Sequence, residues 1–373
     1  MVETLMVENG FVMKTPLFVT SLEPAGGKTV VTLGLVSELS QTFENVGFIK
    51  PVGVSRVRAG RDGIDLDAML VEQLHTVHEN IKDMCPVTLG SASWPTVSDS
   101  ESERMMARID ESYQRISENR AVVVVEGSGG ATTMHCLGLS NAKVAQRLGC
   151  RALLVTDYGV MDENPFDAIV LHRDHFKAHE VETIGVVINK VPVDLLDSFR
   201  PYAASQCDRL GVELLGTIPE DPVLRTFRFL QISEFLDGEM LVNAENATRV
   251  VHTVRVGAMT PHRAIPFFSS GSLIITPGDR EDIIVTVCAA ASIGGQGPSG
   301  LVLSAGQRPH DNIMELLDRS GIPTFLATDD SYTVAGKIHD MPLRIQPTDE
   351  EKIAKVQSLV IDHVNVERVL EKL

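Results

Sequence analysis

Short apolar runs separated by stretches of helical length dominate the first two thirds of the chain. Five of these runs are rich in β-branched residues and span 15–21, 46–53, 121–130, 151–159 and 183–191. Near-continuous apolar strands that alternate with helix-length segments indicate a parallel sheet covered by helices on both faces. The pattern therefore predicts an α/β domain, and ligands of such sheets bind at the carboxyl ends of the strands.

A second set of apolar runs follows the segment FLDGEML at 235–241. These runs span 248–259, 271–279, 283–291, 300–306 and 323–328. Their closer spacing predicts a smaller α/β domain. A chain of 373 residues is also longer than one ordinary hydrophobic core accommodates, which favours two domains. We therefore expect one domain over 14–240 and another over 241–373, with the helical pattern of 352–364 closing the second domain.

Composition and charge limit the classes of function. Apolar residues make up 43% of the chain and charged residues 22%, as in ordinary folded, water-soluble proteins. The net charge of −17 disfavours a nucleic-acid partner, because phosphate backbones attract basic surfaces. No apolar run is long enough to span a bilayer and the acidic start differs from a secretion signal, so we expect a cytoplasmic protein without membrane contact. Five scattered cysteines without a CxxC pair favour reduced thiols.

The segment SLEPAGGKT at 21–29 carries the strongest chemical signal. It lies directly between an apolar run and the helical pattern VVTLGLVSEL. Small residues there leave consecutive backbone N–H groups open to a phosphate, and the helix amino terminus adds positive potential. On this interpretation Lys28 reaches the β- and γ-phosphates and the Thr29 hydroxyl binds Mg²⁺. Leu22 stands where the usual motif has its first glycine, and the alternative is an ordinary strand-to-helix turn with a surface lysine.

Polar side chains end the other predicted strands. Glu126 precedes a GSGG turn, where P-loop proteins place a second magnesium contact, although a carboxylate there can also cap the next helix. Lys50 suits an anionic substrate or the γ-phosphate, and its alternative is a solvated lysine at a strand end. Asn189 can contact a purine base or form a turn. On spacing alone, Asp67 is an amino-terminal helix cap.

Taken in order, SLEPAGGKT, FIKPVG, DLDAML, VVEGSGG and VINKV resemble dethiobiotin synthetase and the related cobyrinic acid a,c-diamide synthases. Their spacing is most similar to the amino-terminal region of long phosphotransacetylases. The segments 271–284, 300–306 and 322–338 resemble the DRTGG domain that follows in those proteins. The resemblance implies a parallel-sheet P-loop NTPase domain followed by a smaller α/β DRTGG domain. No residues remain for the acetyl-transfer domain, so we expect a protein that is not an acetyltransferase.

The resemblance to dethiobiotin synthetase also implies a role for each polar residue described above. The implied roles are phosphate and magnesium contact for Lys28 and Thr29, magnesium contact for Asp67 and Glu126, substrate or γ-phosphate contact for Lys50, and adenine contact for Asn189. The implied ATP contacts of the loop also include Glu23, Gly26 and Gly27. ATP and Mg²⁺ are therefore the expected cofactors.

Three functions remain open at this point. A regulatory or sensor protein would couple the ATP–Mg²⁺ site to a small-molecule effector on the DRTGG-like domain. An ATP-dependent carbon–nitrogen ligase would activate a carboxylate or carbamate as an acyl phosphate, with Lys28 and Lys50 as its catalytic residues. A scaffold with a degenerate loop is disfavoured, because Gly27, Lys28 and Thr29 are all intact.

The segment GDRED at 278–282 is the candidate for chemistry in the second domain. It lies between two apolar runs, and an arginine can bind a phosphate or carboxylate through two parallel hydrogen bonds. We expect Asp279 and Arg280 to line a ligand site or a self-association surface of a homo-oligomer. The alternative is a solvated loop of alternating charge.

Overall fold

The computed structural model describes residues 14–23, 25–54, 65–74, 80–89, 97–159, 164–294, 297–341 and 344–373. The chain divides into two compact units. The first unit comprises residues up to Asp221 together with Ile345–Leu373, and the second comprises Pro222–Arg344. None of the helices within the described ranges combines the length and the apolar character that a membrane span requires.

The strands of the first unit build one large sheet and one small one. In chain order they are β1 (Leu17–Ser21), β2 (Val46–Ile49), β3 (Val52–Gly53), β4 (Val87–Thr88), β5 (Val122–Glu126), β6 (Arg151–Asp157), β7 (Thr183–Val191) and β8 (Leu214–Pro219). Six of them form a parallel sheet in the order β2-β5-β1-β6-β7-β8, and β3 pairs with β4. The predicted α/β fold with a parallel sheet is confirmed, and β8 is a sixth strand that the apolar runs did not predict.

Helices connect these strands and cover both faces of the sheet. They are α1 (Lys28–Thr42), α2 (Leu66–Glu72), α3 (Ile81–Met84), α4 (Asp99–Ser117), α5 (Asn141–Arg147), α6 (Pro165–Ala178) and α7 (Leu196–Leu210). Short polar side chains begin several of them, as expected for residues that accept hydrogen bonds from the free N–H groups of a first turn. Because every strand of the sheet is parallel, the carboxyl ends of its strands meet at one edge.

The second unit contains a mixed five-stranded sheet. The strands of this unit are β9 (Phe227–Arg228), β10 (Gly238–Val242), β11 (Val250–Val251), β12 (Thr253–Val256), β13 (Ser272–Pro277), β14 (Gly300–Ser304) and β15 (Thr324–Ala327), of which β9 and β11 pair with each other outside the five-stranded sheet. Its helices are α8 (Phe229–Phe235), α9 (Pro261–Ala264), α10 (Glu281–Gly294), α11 (Asp311–Ser320) and α12 (Ser331–His339). The sheet order is β10-β15-β14-β13-β12, in which β10 alone is antiparallel to its neighbour. The apolar run at 283–291 lies in helix α10. Its sequence alone did not show this, because a short apolar run has no period that distinguishes a helix from a strand.

The last two helices, α13 (Glu350–His363) and α14 (Val366–Glu371), return to the first unit. Helix α13 packs on α1, and the contact is so close that a Cβ on Gly34 would lie 2.3 Å from Cγ2 of Val360. Val364 then forms an antiparallel bridge to Gly216 of β8. The expected domain boundary near 240, and the expected closing of the second domain by the last helix, therefore differ from the structure.

The reason for this arrangement lies in the composition of α1. Every residue from Val31 to Val36 is buried, which means that the helix is covered on its sheet side and on its outer side. The sheet covers one side only. Helix α13 supplies the second cover through buried Val356 and Val360.

Candidate phosphate-binding site

The loop between β1 and α1 has a backbone suited to bind an anion. Ala25 and Gly27 both adopt the left-handed conformation, with φ of 61° and 94°. Left-handed residues that alternate with right-handed ones turn successive N–H groups toward one side and create a concave anion site. Gly27 must be glycine, because a Cβ there would lie 1.9 Å from Nδ2 of Asn189. Helix α1 begins at the next residue, Lys28.

The beginning of the loop is tied to the end of β6. The backbone N–H of Leu22 donates to the carbonyl of Val155 at 2.9 Å. The Oε1 atom of Glu23 accepts a hydrogen bond from the backbone N–H of Asp157 at 2.6 Å. Burial, together with the charge of Asp157, raises the pKa of Glu23 to about 7. In this structure the carboxylate of Glu23 holds the loop against the strand.

Asn189 lies under the same loop at the end of β7. Its side chain is buried, and Nδ2 donates to the carbonyl of Gly26 at 3.4 Å. Its Oδ1 atom accepts from the backbone N–H of Lys190 at 2.9 Å. The structure thus shows Asn189 as a support of the loop, and adenine contact by this residue stays a prediction.

A buried lysine lies at the centre of the site. The side chain of Lys50 is only 2% exposed, and its Nζ lies 2.9 Å from Asp65, 3.6 Å from Glu126 and in close contact with Asp67. Burial alone would lower the pKa of Lys50, but the negative charges of Asp67, Glu126 and Asp65 outweigh it and raise the pKa well above its usual range. The ammonium group is therefore charged and bound to carboxylates on several sides.

The two acidic groups expected to bind magnesium have opposite pKa shifts. Burial acts to raise the pKa of Asp67, yet the charges of Lys50 and Lys28 lower it below its usual range. Burial raises the pKa of Glu126, and the charge of Asp67 adds to that effect. Repulsion between the two carboxylates thus raises the pKa of Glu126, whereas the two lysines lower the pKa of Asp67.

Lys28 and Thr29 face Glu126 across the edge of the sheet. The Thr29 hydroxyl donates to Oε1 of Glu126 at 3.1 Å, and Nζ of Lys28 lies 4.0 Å from the same oxygen. Oε2 of Glu126 is buried and finds no hydrogen-bond donor among the described residues. A carboxylate oxygen without a donor, beside a hydroxyl group and a second carboxylate, offers the oxygen ligands that Mg²⁺ prefers.

Histidine, cysteine and acidic side chains do not by themselves provide a metal site in the part of the chain that the structure describes. Among the described residues, no group of three or more of these side chains is arranged to hold an ion. Mg²⁺ at this position would therefore need the Thr29 hydroxyl and oxygens from a bound phosphate or water, as is usual for a magnesium–nucleotide site.

Asp65 is a further residue of the site, and it was not among the residues expected from the sequence. Its carboxylate is buried and accepts hydrogen bonds from the backbone N–H groups of Asp67 at 3.0 Å and Val54 at 3.1 Å. Asp65 is therefore the cap of α2, and the assignment of the cap to Asp67 from spacing alone was wrong. The signal was present in DLDAML, where the first of the two aspartates takes the cap position.

Asn141 was also missed, and it fixes the glycine turn after β5. Its Nδ2 donates to the carbonyls of Gly129 at 3.0 Å and Gly130 at 2.8 Å, while its Oδ1 accepts from Ser128 N–H at 3.2 Å. The Ser128 hydroxyl in turn donates to the carbonyl of Val52. No motif in the sequence marks Asn141, because its role depends on a turn that lies more than ten residues away.

In the second unit, Arg280 follows β13 and is already hydrogen bonded. Its Nε and Nη2 atoms donate to the two carboxylate oxygens of Asp282 at 2.8 and 3.0 Å, and Nη2 also reaches the carbonyl of Met259 at 3.3 Å. The pair lies at the start of α10. The expected ligand or self-association role of Asp279 and Arg280 stays a prediction.

A Gly-Lys-Thr loop between the first strand and the first helix, at the carboxyl edge of a parallel sheet, defines a P-loop NTPase-like α/β domain. Comparison of families agrees with this class. Residues 15–227 match the family described as an AAA domain, AAA_26, and the chain belongs to that family. Residues 231–341 match the DRTGG domain.

The chain is also similar to proteins named phosphate acetyltransferase. It is 26% identical over 363 residues to the protein of Pseudomonas putida, covering 93% of this chain and 50% of the relative. It is 25% identical over 369 residues to the protein of a Synechocystis species, covering 97% and 52%. The chain thus spans about half the length of the curated relatives it matches. The predicted resemblance to long phosphotransacetylases, through a P-loop domain followed by a DRTGG domain, is confirmed.

Likeness to solved structures is distant. The CBS and DRTGG domains of the regulatory region of Clostridium perfringens pyrophosphatase share 16% identity with this chain at a TM-score of 0.28, covering 45% of this chain and 85% of that one. A likeness of this size says nothing about the ligands of the present protein.

Proposed function

We propose that the first unit binds ATP together with Mg²⁺, and that the chain is a nucleotide-dependent regulatory or sensor protein. One observation carries the nucleotide site. Lys28, Thr29, Lys50, Asp67 and Glu126 converge at the carboxyl edge of the sheet, beside a loop with a left-handed backbone. These are the charges and oxygen ligands that a triphosphate with its metal ion requires.

The loop and the first turn of α1 would hold the β- and γ-phosphates. Helix α1 spans 15 residues, and its free N–H groups carry positive potential at the end that faces the loop. The side chain of Lys28 is 17% exposed, and its ammonium group lies 4.0 Å from Glu126. Glu126 is thus the partner of Lys28 when no phosphate is bound. A phosphate oxygen would take the place of that carboxylate as the partner of Lys28.

Thr29, Asp67 and Glu126 would hold Mg²⁺, which neutralises charge on the phosphate oxygens when bound. The free Oε2 of Glu126 supports this assignment, because a buried carboxylate oxygen without a donor is costly unless a cation compensates it. We propose that Asn189 supports the loop through its hydrogen bond to Gly26, while the second N–H of its amide serves as the donor for adenine.

The second unit would supply the regulatory half of this function. We propose that it takes a small-molecule effector, with Asp279 and Arg280 at the site or on a surface that joins copies of the chain. Arg280 already shows the two parallel hydrogen bonds to a carboxylate that an anionic effector would receive. An effector would have to compete with Asp282 for them.

The alternative function is an ATP-dependent carbon–nitrogen ligase that forms an acyl phosphate from a carboxylate or carbamate. In such a mechanism Lys50 would hold the anionic acceptor. Here Lys50 is buried and bound to Asp65, Asp67 and Glu126, so an incoming anion would meet three negative groups. Lys50 would have to leave these carboxylates to hold the acceptor, and this cost weighs against ligase chemistry.

Calorimetric titration with ATP, with and without Mg²⁺, tests the nucleotide site. Lys28→Ala should weaken binding about 10- to 100-fold, the range for one hydrogen bond to a charged group, and leave thermal unfolding unchanged. Lys177→Ala on α6 is a matched control that removes an exposed lysine outside the site. Equal ATP affinity of wild type and Lys28→Ala would disprove the assignment.

A phosphate-release assay separates the two functions. The wild-type chain is incubated with ATP, Mg²⁺ and a panel of carboxylates and amines. If the chain binds ATP but no acceptor stimulates the release of phosphate, the result supports the regulatory protein. If any acceptor stimulates phosphate release, the result supports the ligase.

A further inference from the structure

Lys190 has a strained backbone beside the phosphate loop. It lies near the end of β7, where the pairing with β8 slips between Ile188 and Val191. Its φ is 57°, in the left-handed region that residues with a side chain seldom adopt. Residues held in such conformations cluster at functional sites, where the surrounding structure fixes them. In Lys190, contacts of the side chain hold the backbone in this conformation.

The side chain of Lys190 links the phosphate loop to β6. Its Nζ donates to the backbone carbonyl of Ala25 at 2.9 Å and to Oδ2 of Asp157 at 2.6 Å. Asp157 ends β6, and its backbone N–H binds the carboxylate of Glu23 in the same loop. One ammonium group therefore joins the ends of two neighbouring strands to the loop.

The loop residue that Lys190 contacts is itself left-handed. Ala25 has a φ of 61°, and it is a solvent-exposed residue. Left-handed residues at Ala25 and Gly27 orient the N–H groups of the loop. The hydrogen bond from Lys190 restrains the carbonyl of Ala25, and with it the backbone on which that orientation depends.

The loop has a specific need for such a restraint. Leu22 occupies the place of the usual first glycine, and Ala25 adopts a conformation that glycine would adopt at no steric cost. Without an outside contact, Ala25 would relax toward negative φ and turn its peptide groups away. Lys190 and Ala25 both have a left-handed backbone, and a hydrogen bond from the Lys190 side chain to the Ala25 carbonyl joins the two residues.

We infer that Lys190 is a positioning residue for the phosphate loop. Its ammonium group holds the carbonyl of Ala25 so that the loop keeps the conformation that receives the nucleotide phosphates, and Asp157 orients the ammonium group. The inference rests on the proposed nucleotide binding. It adds a residue that acts through the loop backbone without contact to the nucleotide.

Lys190→Gly separates this role from a purely structural one. Glycine adopts positive φ freely, so the variant loses the strain together with the hydrogen bond to Ala25 and a partly exposed ion pair, and such a pair contributes little to stability. We expect the midpoint of thermal unfolding to stay the same or rise. Affinity for MgATP should nevertheless fall about ten-fold or more, as for one lost charge-assisted hydrogen bond. Affinity thus falls while stability does not, a combination that a merely structural residue would not produce.

Lys190→Arg and Lys177→Ala complete the experiment. Arginine keeps the charge and the reach, so Lys190→Arg should retain affinity within about three-fold, less than the ten-fold step of one lost bond. Lys177→Ala removes an exposed lysine of α6 and should bind as wild type does. Each variant is titrated with MgATP by calorimetry and unfolded by heating.

Three results would overturn the inference. The first is a Lys190→Gly variant that binds MgATP within two-fold of wild type. The second is a loss of affinity accompanied by a lower midpoint of unfolding. The third is a Lys190→Arg variant that loses as much affinity as Lys190→Gly. Failure of the proposed function is distinct, because in that case the wild-type chain itself binds no MgATP.

Discussion

Replacing Gly34 with alanine should destabilise the first unit, although alanine is the better helix former. Helix α13 packs so closely on α1 that the new Cβ would lie 2.3 Å from Cγ2 and 2.4 Å from Cβ of Val360. Val360 is fully buried and branched at Cβ, so in a helix it has one strongly preferred side-chain rotamer and cannot turn away. The two helices must move apart instead.

The sign of the effect follows from two magnitudes. Exchanging glycine for alanine inside a helix stabilises by about 1 kcal/mol. Inserting a methyl group into a well-packed core costs about 1 to 3 kcal/mol, and the contacts below 2.5 Å at Gly34 place it at the upper end. We therefore expect a net loss of about 1 to 2 kcal/mol in the free energy of unfolding.

Two further variants serve as matched controls. Gly336 in α12 has open space where its Cβ would lie, so Gly336→Ala should stabilise by up to about 1 kcal/mol. Val360→Ala in the Gly34→Ala background vacates the space that the new methyl group fills. The double variant should therefore lose less stability than the two single variants together, with a coupling energy of about 1 kcal/mol or more.

Scanning calorimetry and urea unfolding measure these effects. Because the chain has two units, hydrogen exchange read by mass spectrometry should localise them to peptides of α1 and α13. A Gly34→Ala variant as stabilising as Gly336→Ala, or strictly additive effects in the double variant, would refute the packing of α13 on α1.

Three other predictions concern the polar groups. Glu126→Gln should retain ATP binding in the absence of Mg²⁺ and lose most of the gain that Mg²⁺ confers, and an unchanged gain would exclude Glu126 as a metal ligand. For Glu23, the pKa in the folded chain is about 7 against an ordinary 4.5, so its contribution to stability is fully present below pH 4.5 and is lost as the pH rises through 7. As the pH rises from 5 to 8, the free energy of unfolding of Glu23→Gln should therefore increase by about 1 to 2 kcal/mol relative to that of wild type, a value reduced for partial exposure. If thermal melts give the same difference between variant and wild type at both pH values, the prediction is wrong. The double change of Asp279 and Arg280 to alanine should alter either oligomeric mass in light scattering or binding of adenine nucleotides to the full chain at a second site, and no change in either would leave this segment a surface turn.

Most of the parallel sheet could be predicted from local pattern. Strands β1, β5, β6 and β7 are buried on both faces, and such strands are near-continuous apolar runs in any chain. Strand β8 was not predicted, because its sequence, LLGTIP, is short, is interrupted by glycine and ends in proline. Helix α10 shows the converse difficulty, since its apolar run is compatible with either type of element.

Part of the candidate site also followed from residue order. The loop, the strand ends and the family resemblance together indicate Lys28, Thr29, Lys50, Asp67, Glu126 and Asn189. The structure brings Lys28, Thr29, Lys50, Asp67 and Glu126 into one cluster. Carboxyl ends of parallel strands share one edge, so polar residues at those ends meet whatever lies between them in the chain.

The class of fold, the position of the phosphate loop and the residue types at the strand ends follow from local pattern, because apolar periodicity and backbone chemistry are local properties. Which side chains bind to one another depends on tertiary packing. It placed Asp65 against Lys50 and Lys190 against the carbonyl of Ala25, and it returned α13 to cover α1. Each of these contacts joins residues far apart in the chain or on different elements, so their formation depends on packing and burial that no local pattern contains.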